Sequence, residues 1–303
     1  MVAVKYMGLF GNKLYEYCLG RIIAEHLGYK LDAAPIPGFT STGQTVDGLD
    51  YSDGPIEELA GQKIDLAAVL DNRTPRKIIL RGYFQRYEYF QPYKDLIRNQ
   101  WLVPDRPPPP LHSDREIVLH VRRADYIQQG WAAPFEFYET VLDLAGCDRA
   151  YVVTDAPKDP FFRRFKKYHP VIVSNSQMED FAFLRSFKKM VISESTFSWW
   201  AAFLSDAEAV YVPQSENGIW SGKMQNHFDI DMRINLEVTD EPRFKGVPVK
   251  GRYRPNLAEL VFNARWYKAR LRDRVRYLAN RMARRPTAGD GTPLAPAPKV
   301  GNK

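Results

Sequence analysis

The stretch IVLHVRRAD, residues 117–125, decides the fold of this chain. Its first five residues are an apolar run that predicts a buried strand, and charged residues follow at once. Further apolar runs predict strands at residues 150–153, 171–173, 190–192 and 210–212, with predicted helices at 134–145, 160–168, 178–186 and 197–204. Strands that alternate with helices indicate βαβ units and a parallel sheet. Because these strands are apolar throughout, we expect helices to cover both faces of the sheet.

The first hundred residues also predict an α/β arrangement. The patterns indicate strands at 3–6 and 64–69, a loop at 7–12, and helices at 14–27 and 86–101. Four consecutive prolines at 107–110 form a stiff, extended run that is typical of an interdomain spacer. We therefore expect two Rossmann-like domains, at 1–106 and 116–250, joined by a proline-rich linker at 107–115.

The net charge of +7 is concentrated near the carboxyl end of the chain. Residues 251–285 carry eleven Lys or Arg and two Asp or Glu, so the body before them is mildly acidic and is not expected to bind nucleic acid. Apolar residues recur there at helical spacing, which predicts a basic amphipathic helix. Two interpretations stay open: the helix contacts an anionic membrane surface, or it packs back on the protein. Residues 286–303 are predicted to be a disordered tail.

The two cysteines, Cys18 and Cys147, have no metal-binding spacing and are expected to be reduced thiols. The sequence begins without a signal-peptide pattern and contains no apolar stretch long enough to cross a membrane. We expect a cytoplasmic protein, with peripheral contact at the inner face of a membrane as the alternative that the basic helix leaves open.

Polar residues follow four of the predicted strands. In an open parallel sheet, ligands bind outside the carboxyl ends of the strands, so we expect residues 120–125, 154–155, 174–176 and 193–196 to line one edge. For 174–176, ordinary loop polarity is an equal explanation. Arg122 and Arg123 suit a diphosphate because the guanidinium is planar, permanently charged and able to bind two oxygens.

The helix predicted after residue 196 offers a second anion site. Its free N–H groups and positive dipole end suit a phosphate, although Ser195 and Thr196 are equally explained as helix caps. Asp229 and Asp231 form a D-x-D pair, a pattern that holds a divalent cation in some glycosyltransferases. Such a pair is expected about once by chance in a chain of this composition, so no metal site is predicted.

The segments 8–28, 82–98, 120–126 and 183–205 resemble a known family. They contain GLFGNK, GYFQ, HVRRADY and STFSWW, in the order found in the bacterial α-1,2-fucosyltransferases, glycosyltransferase family 11. The chain departs from the family at Lys13, Glu16, Ala124 and Ala201. None of these departures removes a predicted phosphate ligand, but they leave the acceptor and the transferred sugar open.

The resemblance implies a GT-B architecture, in which two Rossmann-like domains face each other across a cleft, with the acceptor on the N-terminal side and the GDP-sugar on the other. It implies transfer of L-fucose from GDP-fucose to a galactoside hydroxyl of a glycan or lipid-linked oligosaccharide, with inversion and without a metal or cofactor. Two alternatives remain: a transferase with another nucleotide sugar or linkage, and a non-catalytic nucleotide- or sugar-binding protein.

The resemblance and the strand-end positions together give roles to individual residues. Arg122 and Arg123 are predicted to stabilise the leaving diphosphate, and Asp125 to orient them. The predicted donor-binding residues are His120, Thr154, Asp155, Glu194, Ser195, Thr196, Ser198, Gly11 and Asn12. Trp199 and Trp200 are predicted to lie in the core, and the sequence identifies no general base.

Overall fold

The computed structural model of the chain describes residues 1–61, 63–106, 109–215, 218–219 and 242–283. It contains two β-sheets, and helices pack against both. The predicted α/β class with parallel sheets is confirmed. The predicted metal pair, Asp229 and Asp231, and the predicted disordered tail lie outside the described residues.

The first sheet is parallel and has the strand order β2-β1-β4-β3. Its elements are β1 (Val2–Val4), α1 (Phe10–Leu27), β2 (Leu31–Asp32), β3 (Ile56–Gly61), α2 (Leu66–Asp71) and β4 (Lys77–Gly82). Helix α1 ends at Gly28, whose φ of 66° is the left-handed conformation that glycine adopts without strain. The short helices α3 (Tyr87–Phe90) and α4 (Lys94–Leu96) and a π-helical turn (Ile97–Trp101) follow.

Two sequence predictions in this half are wrong. Residues 64–69 were predicted as a strand but contain the start of α2, because the Asp65 side chain accepts a hydrogen bond from the N–H of Ala68 and caps the helix. Helix α1 begins at Phe10, inside the predicted loop, so Gly11 lies in its first turn.

The second sheet has the order β10-β9-β8-β5-β6-β7, with β11 parallel to β9. Its strands are β5 (Glu116–Val121), β6 (Arg149–Thr154), β7 (Val171–Val173), β8 (Lys189–Val191), β9 (Ala209–Ser215), β10 (Gly218–Ile219) and β11 (Phe244–Pro248). All pairings are parallel except that of β10 with β9. The helices are α5 (Ala124–Gln129), α6 (Phe135–Ala145), a 3₁₀ helix (Pro160–Tyr168), α7 (Gln177–Leu184) and α8 (Thr196–Phe203). The five strands predicted here are confirmed to within a few residues.

The two sheets share one hydrophobic core rather than lying apart. Helix α1 packs on α8, and the contact is filled by Trp199 and Trp200, whose side chains are buried. Both indole rings lie about 5 Å from the ring of Tyr15 in α1. The prediction that these tryptophans are core residues is confirmed.

The segment predicted as one basic helix, 251–285, contains two helices. Helix α9 (Leu257–Phe262) and helix α10 (Ala264–Ala283) are separated at Asn263, and residues 251–256 are not helical. Helix α10 packs on α5. None of the helices in the described ranges has the apolar length that a bilayer-spanning helix requires.

Candidate active site

A cleft of about 290 Å³ lies at the carboxyl edge of the second sheet, against the start of α1. Most of its lining comes from the ends of β5, β6 and β7 and from the start of α8, as the strand-end argument predicts. The residues that line it are Leu9, Phe10, Gly11, His120, Arg122, Val153, Thr154, Asp155, Ser174, Asn175, Gln177, Asp180, Ser195, Thr196 and Phe197. The cleft therefore brings the groups that follow β5, β6, β7 and β8 together with Leu9 and the first turn of α1 in the other half.

Arg122 is the arginine of the motif that faces the cleft. Its side chain is 22% exposed, and its guanidinium pairs with Asp125 at 2.6 Å and with Asp155 at 3.1 Å. The guanidinium also lies 5.0 Å from the ring centre of Tyr126. Two carboxylates and an aromatic ring thus hold Arg122 in place, which agrees with the orienting role predicted for Asp125.

Arg123 faces the interior instead, so the prediction that both arginines line the cleft is wrong. Its side chain is 1% exposed, and its Nε donates to Asp159 at 2.8 Å. The guanidinium stacks on the rings of Phe161 and Tyr253, 4.0 and 4.3 Å from their centres. Because the chain turns into α5 directly after β5, neighbouring side chains diverge, and a buried acidic partner draws Arg123 inward.

A buried polar network connects Arg123 to the segment after β11. The hydroxyl of Tyr253 accepts a hydrogen bond from Arg123 and donates one to Glu259, each at 2.6 Å. Glu259 is fully buried and is paired with Arg164 at 2.8 Å. Asn263 donates to Asp159 at 3.0 Å. The residues predicted as part of a separate basic helix therefore complete the structure behind the motif.

This network reaches the cleft through the backbone of Arg123. The N–H of Arg123 donates to Asp155 at 2.8 Å, and the other carboxylate oxygen of Asp155 faces Arg122. Burial raises the pKa of Asp155, against the charge of Arg122, which lowers it. Thr154 is buried, and its hydroxyl accepts from the N–H of Ala156 at 3.2 Å. Asp155 thus positions Arg122, a role that the sequence did not assign to it.

His120 is a buried, neutral side chain at the floor of the cleft. Burial, together with the charge of Arg122, lowers its pKa to about 3. Its Nδ1 lies 2.9 Å from the hydroxyl of Ser193, and its ring is 5.4 Å from that of Phe197. A group with so low a pKa cannot act as a general base that is protonated and deprotonated near neutral pH.

The start of α8 contributes two of the four residues predicted there. Ser195 and Thr196 line the cleft, and within the described residues the Ser195 side chain caps none of the helix N–H groups. Ser198 is fully buried and donates to the carbonyls of Ser193 and Ser195 at 3.3 Å, so it supports the turn and does not line the cleft. Glu194 is also buried, and its carbonyl accepts from the Tyr126 hydroxyl at 2.8 Å.

Gly11 and Asn12 join the two halves at one end of the cleft. A Cβ on Gly11 would lie 2.6 Å from the backbone of Thr196, so only glycine lets α1 approach α8 this closely. The amide oxygen of Asn12 accepts from Thr196 and from Gln85, each at 3.0 Å. Gly11, predicted to bind the donor, lines the cleft and also accommodates α8 itself.

Glu16 is a buried carboxylate beside the glycine loop, residues 5–9, which joins β1 to α1 at the cleft and contains Gly8. Its Oε2 accepts the N–H of Met7 at 2.9 Å, while Oε1 has no hydrogen-bond partner within the described residues. Burial raises its pKa to about 8, although the Met7 hydrogen bond and the charge of Lys13 oppose this. At neutral pH, Glu16 is therefore mainly protonated and acts as a neutral acceptor that holds the loop.

Sequence reasoning missed three contributors to this region. Asp180 lines the cleft and accepts the N–H of Asn175 at 3.0 Å, and burial raises its pKa. Phe197 forms an aromatic wall next to His120. The position of Asp180 after a helix cap gives no signal in the sequence, whereas Tyr253 could have been noticed as an isolated aromatic in a basic segment.

Across the described ranges, no three His, Cys, Asp or Glu side chains are grouped closely enough to hold a metal ion. The cleft instead combines one arginine, a helix start and several hydroxyls. These groups suit an anionic ligand such as a diphosphate.

Two comparisons with known proteins agree with this geometry. The model of a family described as "Glycosyl transferase family 11" matches residues 163–225, which include α7, β8 and the start of α8 at the cleft. The chain is 30% identical over 134 residues to the O-antigen biosynthesis glycosyltransferase WbnK of Escherichia coli. That alignment covers 39% of this chain and 43% of the relative. The resemblance to glycosyltransferase family 11 predicted from the sequence is confirmed.

Proposed function

We propose that this chain, which resembles glycosyltransferase family 11, is an inverting α-1,2-fucosyltransferase that uses GDP-fucose. The observation that carries the proposal is the cleft that Arg122 lines together with Ser195 and Thr196 at the start of α8. A nucleoside diphosphate bound there meets a fixed cation on one side and helix N–H groups on the other. Thr154 and the ring of Phe197 are available for the ribose and the base.

The reaction breaks the bond between the fucose anomeric carbon and the β-phosphate oxygen of GDP. An acceptor hydroxyl attacks the opposite face of that carbon and forms the new glycosidic bond. Its proton passes to solvent water, and the configuration at the anomeric carbon is inverted. Negative charge grows on the departing diphosphate, and prepositioned donors stabilise such charge by several kcal/mol. We assign this role to Arg122, which Asp125 and Asp155 already hold in place.

This assignment needs no metal ion and no organic cofactor. The two-domain GT-B arrangement is part of the same proposal: the sheet of β5–β9 would bind the donor, and the half that contains α1 would face the acceptor. The Escherichia coli relative is named as a glycosyltransferase of O-antigen biosynthesis. We therefore propose a growing polysaccharide, free or lipid-linked, as the acceptor.

The first experiment offers the purified protein GDP-fucose, GDP-mannose, UDP-galactose and UDP-glucose and measures release of the nucleoside diphosphate. We expect release from GDP-fucose, unchanged by EDTA and stimulated by a galactoside such as lactose. A lactose analogue without the galactose 2-hydroxyl should give no stimulation. The Arg122→Ala variant is the control for contaminating hydrolase.

Each other result points to a defined alternative. Release from a UDP-sugar alone would mean a transferase of different donor specificity. An absolute requirement for magnesium or manganese would contradict the arginine mechanism and direct attention to Asp229 and Asp231. Tight binding of GDP-fucose without turnover, with any galactoside, would favour a non-catalytic binding protein.

A further inference from the structure

We propose that helix α10 docks this protein on the surface of an anionic lipid bilayer. The helix carries seven Lys or Arg residues and one Asp, and it lies at the surface of the second half of the molecule. Its sequence alone left two interpretations open, membrane contact and packing on the protein. The structure shows that the start of the helix and one of its faces pack on the protein, while an apolar stripe further along the helix stays exposed.

The first turn of the helix, together with the face that carries Trp266 and Asp273, attaches it to the protein. Trp266 and Tyr267 pack against Tyr126 and Ile127 of α5. Nearly two turns further on, Asp273 accepts a hydrogen bond from the side chain of Gln128 at 2.8 Å. These contacts fix the orientation of α10, so its remaining faces point in defined directions.

A second face exposes a stripe of large apolar side chains. Leu271, Val275 and Leu278 are 65%, 58% and 47% exposed, and their spacing of four and three residues places them on one side of the helix. In the described part of the chain, about half or more of each of these side chains stays uncovered. The adjoining helix α9 adds Leu257 and Val261, both largely exposed. A run of exposed apolar residues of this kind marks an interaction surface.

The charges around the stripe identify its partner. At 100° per residue, Lys268, Arg272 and Arg276 lie along one side of the stripe and Arg274 lies along the other. An apolar stripe between two rows of cations is the arrangement of helices that lie in a bilayer interface, with the apolar side chains in the acyl region. The long basic side chains reach the anionic headgroups on both sides.

Docking through this surface would hold the cleft close to the bilayer. Helix α10 packs on α5, and α5 begins two residues after Arg122. Helices α10 and α5 would therefore lie between the membrane surface and the Arg122 side of the cleft, a separation of about two helix diameters, roughly 20 Å. This position suits an acceptor carried on a lipid, a point that rests on the proposed function, whereas the docking itself does not.

The test is flotation of the purified chain with lipid vesicles, which requires no enzymatic activity. The vesicles are phosphatidylcholine alone, or phosphatidylcholine mixed with phosphatidylglycerol. One variant carries Lys268→Gln and Arg272→Gln, and another carries Leu271→Ser and Val275→Ser. The matched control is Leu144→Ser, because Leu144 is a similarly exposed leucine, at 67%, on α6.

We expect the wild-type chain to bind the anionic vesicles and not the neutral ones, and to be released by salt. Loss of two cations should weaken binding about 30-fold, since each contributes about a fivefold factor near such a surface. The stripe variant should also lose binding. The control should bind like the wild type, and all variants should keep the same circular dichroism spectrum.

Three results would overturn the proposal. The wild-type chain could fail to bind anionic vesicles at low salt, or the two helix variants could bind as well as the control. Light scattering could also show a wild-type dimer that Leu271→Ser with Val275→Ser dissociates, in which case the stripe joins two copies of the chain. None of these three measurements depends on the donor assay. A failure of the proposed function and a failure of the proposed membrane docking can therefore be distinguished.

Discussion

Replacing Arg122 or Arg123 by alanine should damage the protein in opposite ways, although the two residues are neighbours. Arg122 is partly exposed and its ion pairs reach solvent, so its loss should change the free energy of unfolding by about 1 kcal/mol or less. Its loss removes one donor to the leaving diphosphate. We expect kcat/KM for GDP-fucose to fall by about 10²–10³, or roughly 3–4 kcal/mol of transition-state stabilisation.

Arg123→Ala leaves the buried carboxylate of Asp159 without its cation. Removing one member of a buried pair costs about 3–5 kcal/mol, so this variant should be far less stable than Arg122→Ala. Because it could fail to fold, Tyr253→Phe serves as a milder test. It removes one hydroxyl from the same network and should cost about 1–3 kcal/mol in unfolding free energy.

The assays are urea unfolding followed by circular dichroism and GDP-release kinetics, on the same four proteins. The reasoning is refuted if Arg123→Ala keeps wild-type stability while kcat/KM falls as much as in Arg122→Ala. It is equally refuted if Arg122→Ala unfolds at a much lower urea concentration than the wild type while its folded fraction keeps the wild-type kcat/KM. Either outcome would mean that the two side chains have been assigned to the wrong surfaces.

Three further predictions concern helix α1 and its contact with α8. Gly11→Ala should destabilise the protein by about 1–3 kcal/mol in thermal unfolding because its Cβ overlaps α8, whereas Gly43→Ala, whose Cβ meets only Pro35 at 3.6 Å, should be tolerated; equal melting temperatures would contradict this. Trp200→Phe should lower unfolding free energy by about 1–3 kcal/mol with little change in KM for GDP-fucose, and a change in KM alone would instead make it a binding residue. The pKa of Glu16 is raised to about 8 on folding, so the folded state holds an extra proton and wild-type stability should fall as pH rises from about 4.5 to 8. Glu16→Gln should lose that part of the slope in urea titrations at several pH values, and an unchanged slope would show that Glu16 ionises normally.

The second sheet could be predicted from the sequence because its strands are buried on both faces. In runs such as residues 117–121 every residue but His120 is apolar, and the polar residues after such runs had to meet at one edge. The first sheet was harder, since β3 is an edge strand with Glu57 and Glu58 among its six residues. A search for apolar runs does not find such a strand. The same search wrongly predicts a strand at a short apolar helix such as α2.

The direction of individual side chains in the site was not available from local sequence. Whether Arg122 or Arg123 faces the cleft depends on Asp159 and on Tyr253, which is 130 residues away from Arg123 along the chain. The role of Gly11 likewise depends on the backbone of Thr196 in the other half. Residue type and strand position predicted the candidate residues for the cleft. Contacts with residues distant in the sequence determine which of these side chains face it.

The shared core between α1 and α8 limits how this molecule can move. If the halves swung apart about a hinge, the rings of Tyr15, Trp199 and Trp200 would enter water, at a cost of about 1.5–3 kcal/mol for each large apolar side chain. An opened population would be negligible at equilibrium, because large apolar interfaces suppress relative domain motion. Ligand entry and departure would then depend on local rearrangement at the exposed Leu9 and the neighbouring glycine loop. Relaxation measurements on that loop, rather than on interdomain distance, would report the rate at which nucleotide exchanges.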